Sequence, residues 1–148
     1  MSVPRARLRT ALVLAAWLPC LLQAAEPAAG DTRERVELPA QMQAHMLSNM
    51  RDHLAALDEI LAALALGDLD AAARIAEARL GMSALEAHGA AHMARFMPAE
   101  MQRAGTRMHH AASRFALRAE EGEPLPAYQA LSEVTAACVS CHSAYRIR

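Results

Sequence analysis

From residue 40 to the end of the chain, apolar side chains recur at steps of three and four residues, interrupted only at a few glycines and prolines. This spacing places them on one face of an α-helix, because a helix completes a turn in about 3.6 residues. No stretch alternates apolar and polar residues as a half-buried strand does. The pattern therefore predicts an all-α fold.

The first predicted helix begins after Pro39 and ends at Gly67. Asp68 is placed to cap the helix that follows. The apolar face of the first helix comprises Met42, Met46, Met50, His53, Leu57, Ile60, Leu61 and Leu64.

The second predicted helix runs from about Leu69 to Glu86 or Ala87, and Gly81 weakens its middle. Its buried side comprises Ala72, Ile75, Ala76, Arg79, Leu80 and Leu85. The stretch H-G-A-A-H-M-A-R-F-M around Gly89 is the least regular part of the pattern.

Pro98 suits the first turn of a third helix, where a missing N–H costs little. The apolar stripe of this helix comprises Met101, Ala104, Met108, Ala112, Phe115 and Ala119. After the break E-E-G-E-P-L-P, a fourth helix begins near Ala127. Its inner face comprises Leu131, Val134, Cys138, Cys141, His142 and Tyr145. Four long amphipathic segments with short joints predict an antiparallel four-helix bundle.

Residues 1–25 have the features of a secretory signal peptide. Arg5, Arg7 and Arg9 precede the apolar run A-L-V-L-A-A-W-L-P-C-L-L, and small residues follow, so cleavage is expected after Ala25 or Ala24. The run is too short to span a bilayer comfortably, and no membrane span is predicted in the mature chain. The protein is therefore predicted to be exported to the periplasm.

The mature chain is predicted to have two parts: a polar, flexible lead-in over residues 26–37 and one domain over residues 38–148. Without the three arginines of the signal, the 15 basic and 16 acidic residues become 12 and 16, a net charge near −4. This composition does not suggest nucleic-acid binding. Cys20 is lost with the signal, which leaves Cys138 and Cys141.

The chain ends in C-V-S-C-H-S-A-Y-R-I-R, and its C-x-x-C-H motif admits three chemistries. A thiol oxidoreductase places such a pair at the start of a helix after a strand, whereas Cys138 and Cys141 lie late in a predicted helix. A zinc site needs further ligands, and no matching pair occurs elsewhere. Covalently attached haem accounts for all three residues: the thiols, one helical turn apart, bond the porphyrin, and His142 reaches the iron.

Only six residues follow His142 and none is a methionine, so any sixth iron ligand must come from upstream. In a bundle the natural source is a facing helix. The first helix, which carries Met42, Met46 and Met50 at four-residue steps, is the best candidate. Taken singly, each methionine is better explained as a core residue that fills an irregular gap than as a ligand.

The motif C-V-S-C-H-S-A-Y-R over Cys138–Arg146, the export signal and the four-helix pattern resemble cytochrome c′ and its relatives, the class II c-type cytochromes. The resemblance implies one covalently attached haem c near the end of the last helix. It also implies that Tyr145 packs beside the haem and that Arg146 lies near its proximal face. By position along the first helix, Met46 matches the family's distal site best, and Met50 is next.

The family has two branches, and the first helix distinguishes them. A methionine ligand there makes a low-spin electron carrier, whereas an apolar blocking residue leaves five-coordinate iron that binds NO or CO. We expect the first: a monohaem protein, not an enzyme, that exchanges single electrons with unidentified redox partner proteins. Gas binding is the alternative, and thiol oxidation by the cysteine pair is a weaker one. The resemblance also implies a homodimer, because related bundles often pair through helix faces. Histidines 45, 53, 88, 92, 109 and 110 are predicted to be surface or supporting groups.

Overall fold

The computed structural model describes residues 30–148, which are mostly helical, so the predicted all-α class is confirmed. The predicted signal peptide and residues 26–29 lie outside the described residues. The helices are α1 (Ala40–Ala65), α2 (Leu69–Arg79), α3 (Ala90–Ala94), α4 (Ala99–Glu120) and α5 (Pro124–Ala144). A 3₁₀ turn covers Met82–Ala84, and two short strands, β1 (Glu34–Arg35) and β2 (Tyr145–Arg146), flank the helices.

The turn between α1 and α2 follows the prediction. Gly67 adopts a φ of +74°, a left-handed conformation that a residue without Cβ takes easily. Asp68 then caps α2, because its Oδ1 accepts the backbone N–H of Ala71 at 2.9 Å. Both local signals were therefore correct.

The predicted end of the second helix was wrong. Helix α2 ends at Arg79 instead of near Glu86, and the chain turns at Gly81. Glycine suits this turn because a Cβ at this position would lie only 2.8 Å from the carbonyl oxygen of Glu77. The N–H groups after the turn have side-chain partners. Met82 N–H donates to Ser113 Oγ at 2.9 Å, and Ser83 N–H donates to Glu77 Oε1 at 3.1 Å. These bonds replace the ones that a continuous helix would have made.

Helix α4 matches its predicted stripe, and all six predicted apolar residues are buried. It begins one residue after Pro98, which occupies the N-cap position. Helix α5 begins at Pro124, three residues before the predicted start, with proline in the first turn. It ends at Ala144, so Tyr145 lies in β2 and not on the helical face where it was predicted.

The core lies among the longer helices, within the compact unit Thr32–Arg148. Helix α4 packs against both α5 and α2, and α2 packs against α1. The backbones of α1 and α5 do not approach each other as closely as these pairs do. The largest fully buried side chains are Phe115, Ile60, Leu80 and Val134.

The two strands form a parallel pair in which Glu34 lies beside Tyr145. Val36 extends this contact: its N–H donates to the carbonyl of Arg146 at 2.8 Å, and its side chain is 5% exposed. Gln43 Nε2 donates to the carbonyl of Ile147 at 2.6 Å. This end of the segment predicted as a flexible lead-in is thus held against the C-terminal tail, and the sequence pattern did not predict the strand pair.

Among residues 30–148, no helix is both long enough and apolar enough to cross a bilayer.

Candidate functional site

A cavity of about 480 Å³ brings together residues from both ends of the described chain. Its wall consists of Arg33, part of α1, residues 85–97, the first half of α4, the end of α5 and the C-terminal tail. Thioethers are prominent in this wall, contributed by Met46, Met50, Met93, Met97, Met101 and Met108. The volume falls in the range of roughly 300–1,000 Å³ that is typical of ligand and cofactor sites.

The three residues of the C-x-x-C-H motif all line this cavity. Cys138 and Cys141 are free thiols, one turn apart on α5, and both are half-buried. His142 is exposed, in contrast to the prediction that it faces the core. It is one residue beyond Cys141 and therefore about 100° further around the last helical turn.

Burial makes these thiols poor nucleophiles. It raises the pKa of the Cys138 thiol, against a smaller opposing effect of a backbone hydrogen bond. Burial also raises the pKa of the Cys141 thiol; the neighbouring Cys138 adds to the rise, and Arg107 opposes it. Reactive cysteines in thiol–disulfide enzymes have lowered pKa values instead, so the surroundings of this pair favour the protonated thiols.

Two of the three methionines of the predicted ladder on α1 reach the cavity. Met46 and Met50 are half-buried and line the wall, whereas Met42 is not part of it. The cavity therefore brings the two predicted distal residues into one space with the motif of α5. It does not distinguish between them.

The C-terminal tail closes one side of the cavity. Tyr145 and Arg146 are half-buried and line the wall, as do Ile147 and Arg148. The strand pair with Glu34–Arg35 holds this tail in place.

Three histidines that were predicted to be surface or supporting groups lie together in the wall: His53, His88 and His109. The ring centroids of His53 and His88 are 4.7 Å apart, those of His88 and His109 are 5.5 Å apart, and those of His53 and His109 are 6.0 Å apart. His109 is only 7% exposed, and its Nδ1 donates to the carbonyl of Leu80 at 2.7 Å. We call these three residues the imidazole cluster.

Contacts from α1 hold His88 in the cluster. Its carbonyl accepts hydrogen bonds from His45 Nε2 at 2.9 Å and from Asn49 Nδ2 at 3.0 Å. The ring nitrogens His53 Nε2 and His88 Nδ1 are 3.4 Å apart. Only one proton fits between that pair, so one nitrogen donates and the other accepts.

The environment of the cluster disfavours positive charge. Burial lowers the pKa of His53 to about 4, and the neighbouring His88, His109 and His142 act in the same direction, against Asp52. Burial also lowers the pKa of His88. Asp52 gives little compensation because it is already paired with Arg79, whose Nη2 lies 2.5 Å from Asp52 Oδ1. His53 and His88 are therefore neutral at neutral pH.

Helical periodicity could have identified one residue of the imidazole cluster, His109. On α4, His109 follows Gly105 by one turn and precedes the buried Ala116 by two, so it belongs to a row beside the predicted stripe. His88 lies in an irregular segment whose position is set by tertiary contacts. Periodicity carries no signal for it.

In the part of the chain that the structure describes, no group of three or more His, Cys, Asp or Glu side chains is arranged to hold a metal ion by itself. Neither protein-family models nor curated proteins nor solved structures give a match to this chain.

Proposed function

We propose that this protein is an exported, periplasmic c-type cytochrome that carries single electrons on one haem c attached through Cys138 and Cys141. His142 is the proximal iron ligand. A methionine of α1, first Met46 and next Met50, is the distal ligand. The observation that carries the proposal is the shared cavity, in whose wall all five side chains lie.

The thiols, imidazole and thioethers that line the cavity are the groups that would hold a covalently attached haem. Two thiols one turn apart can each add across a vinyl group of the porphyrin, forming a C–S bond while the thiol hydrogen goes to the neighbouring vinyl carbon. Imidazole and thioether are common axial ligands of haem iron. The raised pKa values of Cys138 and Cys141 favour this structural use of the thiols over thiol redox catalysis.

The residues around the site have separate tasks. Haem, when bound, supplies an iron that accepts and releases one electron. His142 presents a nitrogen lone pair from α5, and Met46 or Met50 presents a sulfur lone pair from α1. The other methionines exclude water, and a dry wall with a sulfur ligand stabilises the reduced state and raises the reduction potential.

The architecture that we propose is an antiparallel four-helix bundle of α1, α2, α4 and α5, as in the class II c-type cytochromes. The hydrogen bond from Gln43 to the tail at Ile147 supports it, because this bond brings the first turn of α1 to the end of α5.

The attachment is tested by the intact mass of the protein purified from a periplasmic extract. We expect the mass of the mature chain plus one haem, and loss of that increment when Cys138 and Cys141 are both replaced by serine. Ser140→Ala is the matched control, since Ser140 is exposed on the same turn. An unshifted mass with an oxidised cysteine pair would instead support the thiol hypothesis.

The distal ligand is tested by the ferric optical spectrum. We expect a low-spin spectrum, which Met46→Ala converts to high-spin while the covalent haem is retained. Met50→Ala tests the second choice, and Met42→Ala, whose side chain lies outside the cavity wall, is the control. A low-spin spectrum that survives both replacements would contradict a methionine ligand and direct attention to the histidines.

Binding of NO or CO is the second candidate function, and the imidazole cluster favours it. The polarity and the hydrogen-bond donors of a distal pocket help to decide what an open iron position does. His53 and His88 are half-buried groups of this kind in the same wall. A high-spin spectrum of the unmodified protein, with rapid CO uptake on reduction, would establish this function in place of electron transfer.

A further inference from the structure

The imidazole cluster takes its three rings from three separate elements of the fold. His53 lies on α1, His88 lies in the turn just before α3, and His109 lies on α4. All three side chains are buried or half-buried, and none of them is a proposed haem ligand. Imidazole is the side-chain group that most often binds metal ions. Three imidazoles brought together from distant parts of a chain therefore suggest a metal site.

The spacing of the rings is that of ligands bound to one ion. His53 Nε2 and His88 Nδ1 are 3.4 Å apart. Two nitrogens that each lie about 2.0–2.1 Å from a zinc ion, at the tetrahedral angle, are separated by about the same distance. The centroids of imidazoles bound to one such ion lie roughly 5 Å apart. The three centroid distances of the cluster, 4.7, 5.5 and 6.0 Å, are close to this value.

A backbone hydrogen bond sets the tautomer of His109. Its Nδ1 donates to the carbonyl of Leu80 at 2.7 Å, so the lone pair of the ring is on Nε2. Histidines that bind metal ions almost always have this arrangement, in which one ring nitrogen donates to a carbonyl, a carboxylate or water and the other binds the ion. His88 is also held in position, because its carbonyl accepts hydrogen bonds from His45 and Asn49.

We propose that the imidazole cluster is a zinc site, with His53 Nε2, His88 Nδ1 and His109 Nε2 as the protein ligands and water at the fourth position. Three imidazoles and a water are a tetrahedral donor set that zinc uses in proteins. As described, the three rings do not converge on one point. Rotation of the rings about their Cβ–Cγ bonds closes the site without movement of the helices, because the centroids already have the required spacing.

The surroundings of the cluster favour zinc binding, and the bound ion would cross-link the cavity wall. Imidazole binds a metal only without its second proton, and the lowered pKa values of His53 and His88 keep both rings in that form at neutral pH. The ion would join α1, the turn before α3 and α4, which form adjacent parts of the wall. We therefore expect zinc to stabilise residues 85–97 against local opening.

The zinc site does not rest on the proposed function. Its three ligands are different side chains from the cysteines, the histidine and the methionine that are proposed to hold haem. Intact mass and the ferric spectrum report on the haem, whereas zinc content reports on the imidazole cluster. Failure of either proposal would therefore leave the other one standing.

Equilibrium dialysis of the purified protein, with whatever cofactor it carries, against Zn²⁺ tests the site when elemental analysis follows. We expect one zinc ion per chain. His53→Gln and His109→Gln should each weaken binding by at least about tenfold, because each removes a ligand. His92→Gln on α3 and His110→Gln on α4 are the matched controls, since both histidines are exposed, and they should bind zinc as the unmodified protein does. Circular dichroism checks the folding of each variant.

X-ray absorption at the zinc edge identifies the ligands, also in the presence of haem, because iron absorbs at a different energy. We expect nitrogen neighbours at about 2.0–2.1 Å, with the outer-shell scattering of imidazole rings. Amide hydrogen exchange in residues 85–97 should slow when zinc is added to the unmodified protein. Absence of zinc uptake by the unmodified protein would overturn the proposal. Uptake that is unchanged when all three histidines of the cluster are replaced by glutamine would overturn it as well.

Discussion

Burial keeps the imidazole of His53 neutral, with consequences for both stability and chemistry. A neutral ring has a free lone pair, whereas a protonated ring in this wall would lie close to two further histidines of the cluster. Asp52, the carboxylate whose charge favours a proton on His53, is already paired with Arg79. The cluster therefore tolerates a proton poorly.

The stability of the fold should consequently fall in mild acid. The unfolded chain protonates His53 near its ordinary pKa of 6.5, whereas the folded chain holds that pKa at about 4. Between these values the unfolded state binds more protons, so stability decreases as the pH falls from 6.5 towards 4. The loss from this residue is at most about 3 kcal/mol, at 1.36 kcal/mol for each pKa unit. His88, whose pKa is also lowered, adds to it.

Urea unfolding at a series of pH values measures this effect. We expect His53→Gln to flatten the dependence between pH 4.5 and 6.5, while His110→Gln, at an exposed position on α4, leaves it unchanged. The window stops at 4.5 because Glu77, whose ordinary pKa is 4.5, contributes below it. An unaltered slope in the His53 variant would show that its imidazole titrates alike in both states.

At the scale of elements, a helix with a long, regular apolar stripe could be predicted from the sequence. The end of α2 could not. Helix α4 has apolar residues at steps of three or four along its length, and its buried face follows that pattern. The end of α2 depends on Ser113 of α4 and on the close approach at Gly81, which are tertiary contacts. The same limit applies to the site. The motif of α5 is visible in sequence, whereas the placement of His88 depends on contacts from α1.

The capping hydrogen bond at the start of α2 gives a prediction at this scale. Asp68→Ala leaves the N–H of Ala71 without its side-chain partner, so we expect a loss of about 1 kcal/mol in the free energy of unfolding. Asp70→Ala is the control, because Asp70 is acidic and in the first turn but is not the N-cap residue. Chemical denaturation measures both. Equal losses would mean that interaction with the helix dipole, not the cap, stabilises this end.

At the scale of the whole molecule, the site is assembled from segments about a hundred residues apart in sequence. The segment before α1 holds the tail after α5 through the strand pair and through Val36, and that tail forms part of the cavity wall. Helical periodicity cannot predict this contact, since a two-residue strand has no period to detect. The same segment also contacts the motif directly, because Arg33 Nη1 donates to the carbonyl of His142 at 3.4 Å.

Weakening the contact between residues 34–36 and the C-terminal tail should expose the tail without unfolding the helices. Val36→Asp puts a charge where the side chain is 5% exposed, which is costly in an apolar setting. We expect amide hydrogen exchange in residues 34–36 and 145–147 to accelerate at least tenfold, because these segments open together. Exchange around Phe115, a fully buried residue of α4, should be unchanged. Thr32→Ala, at an exposed position just before β1, is the control. If exchange accelerates equally throughout α4, Val36 supports the global fold and not the tail alone.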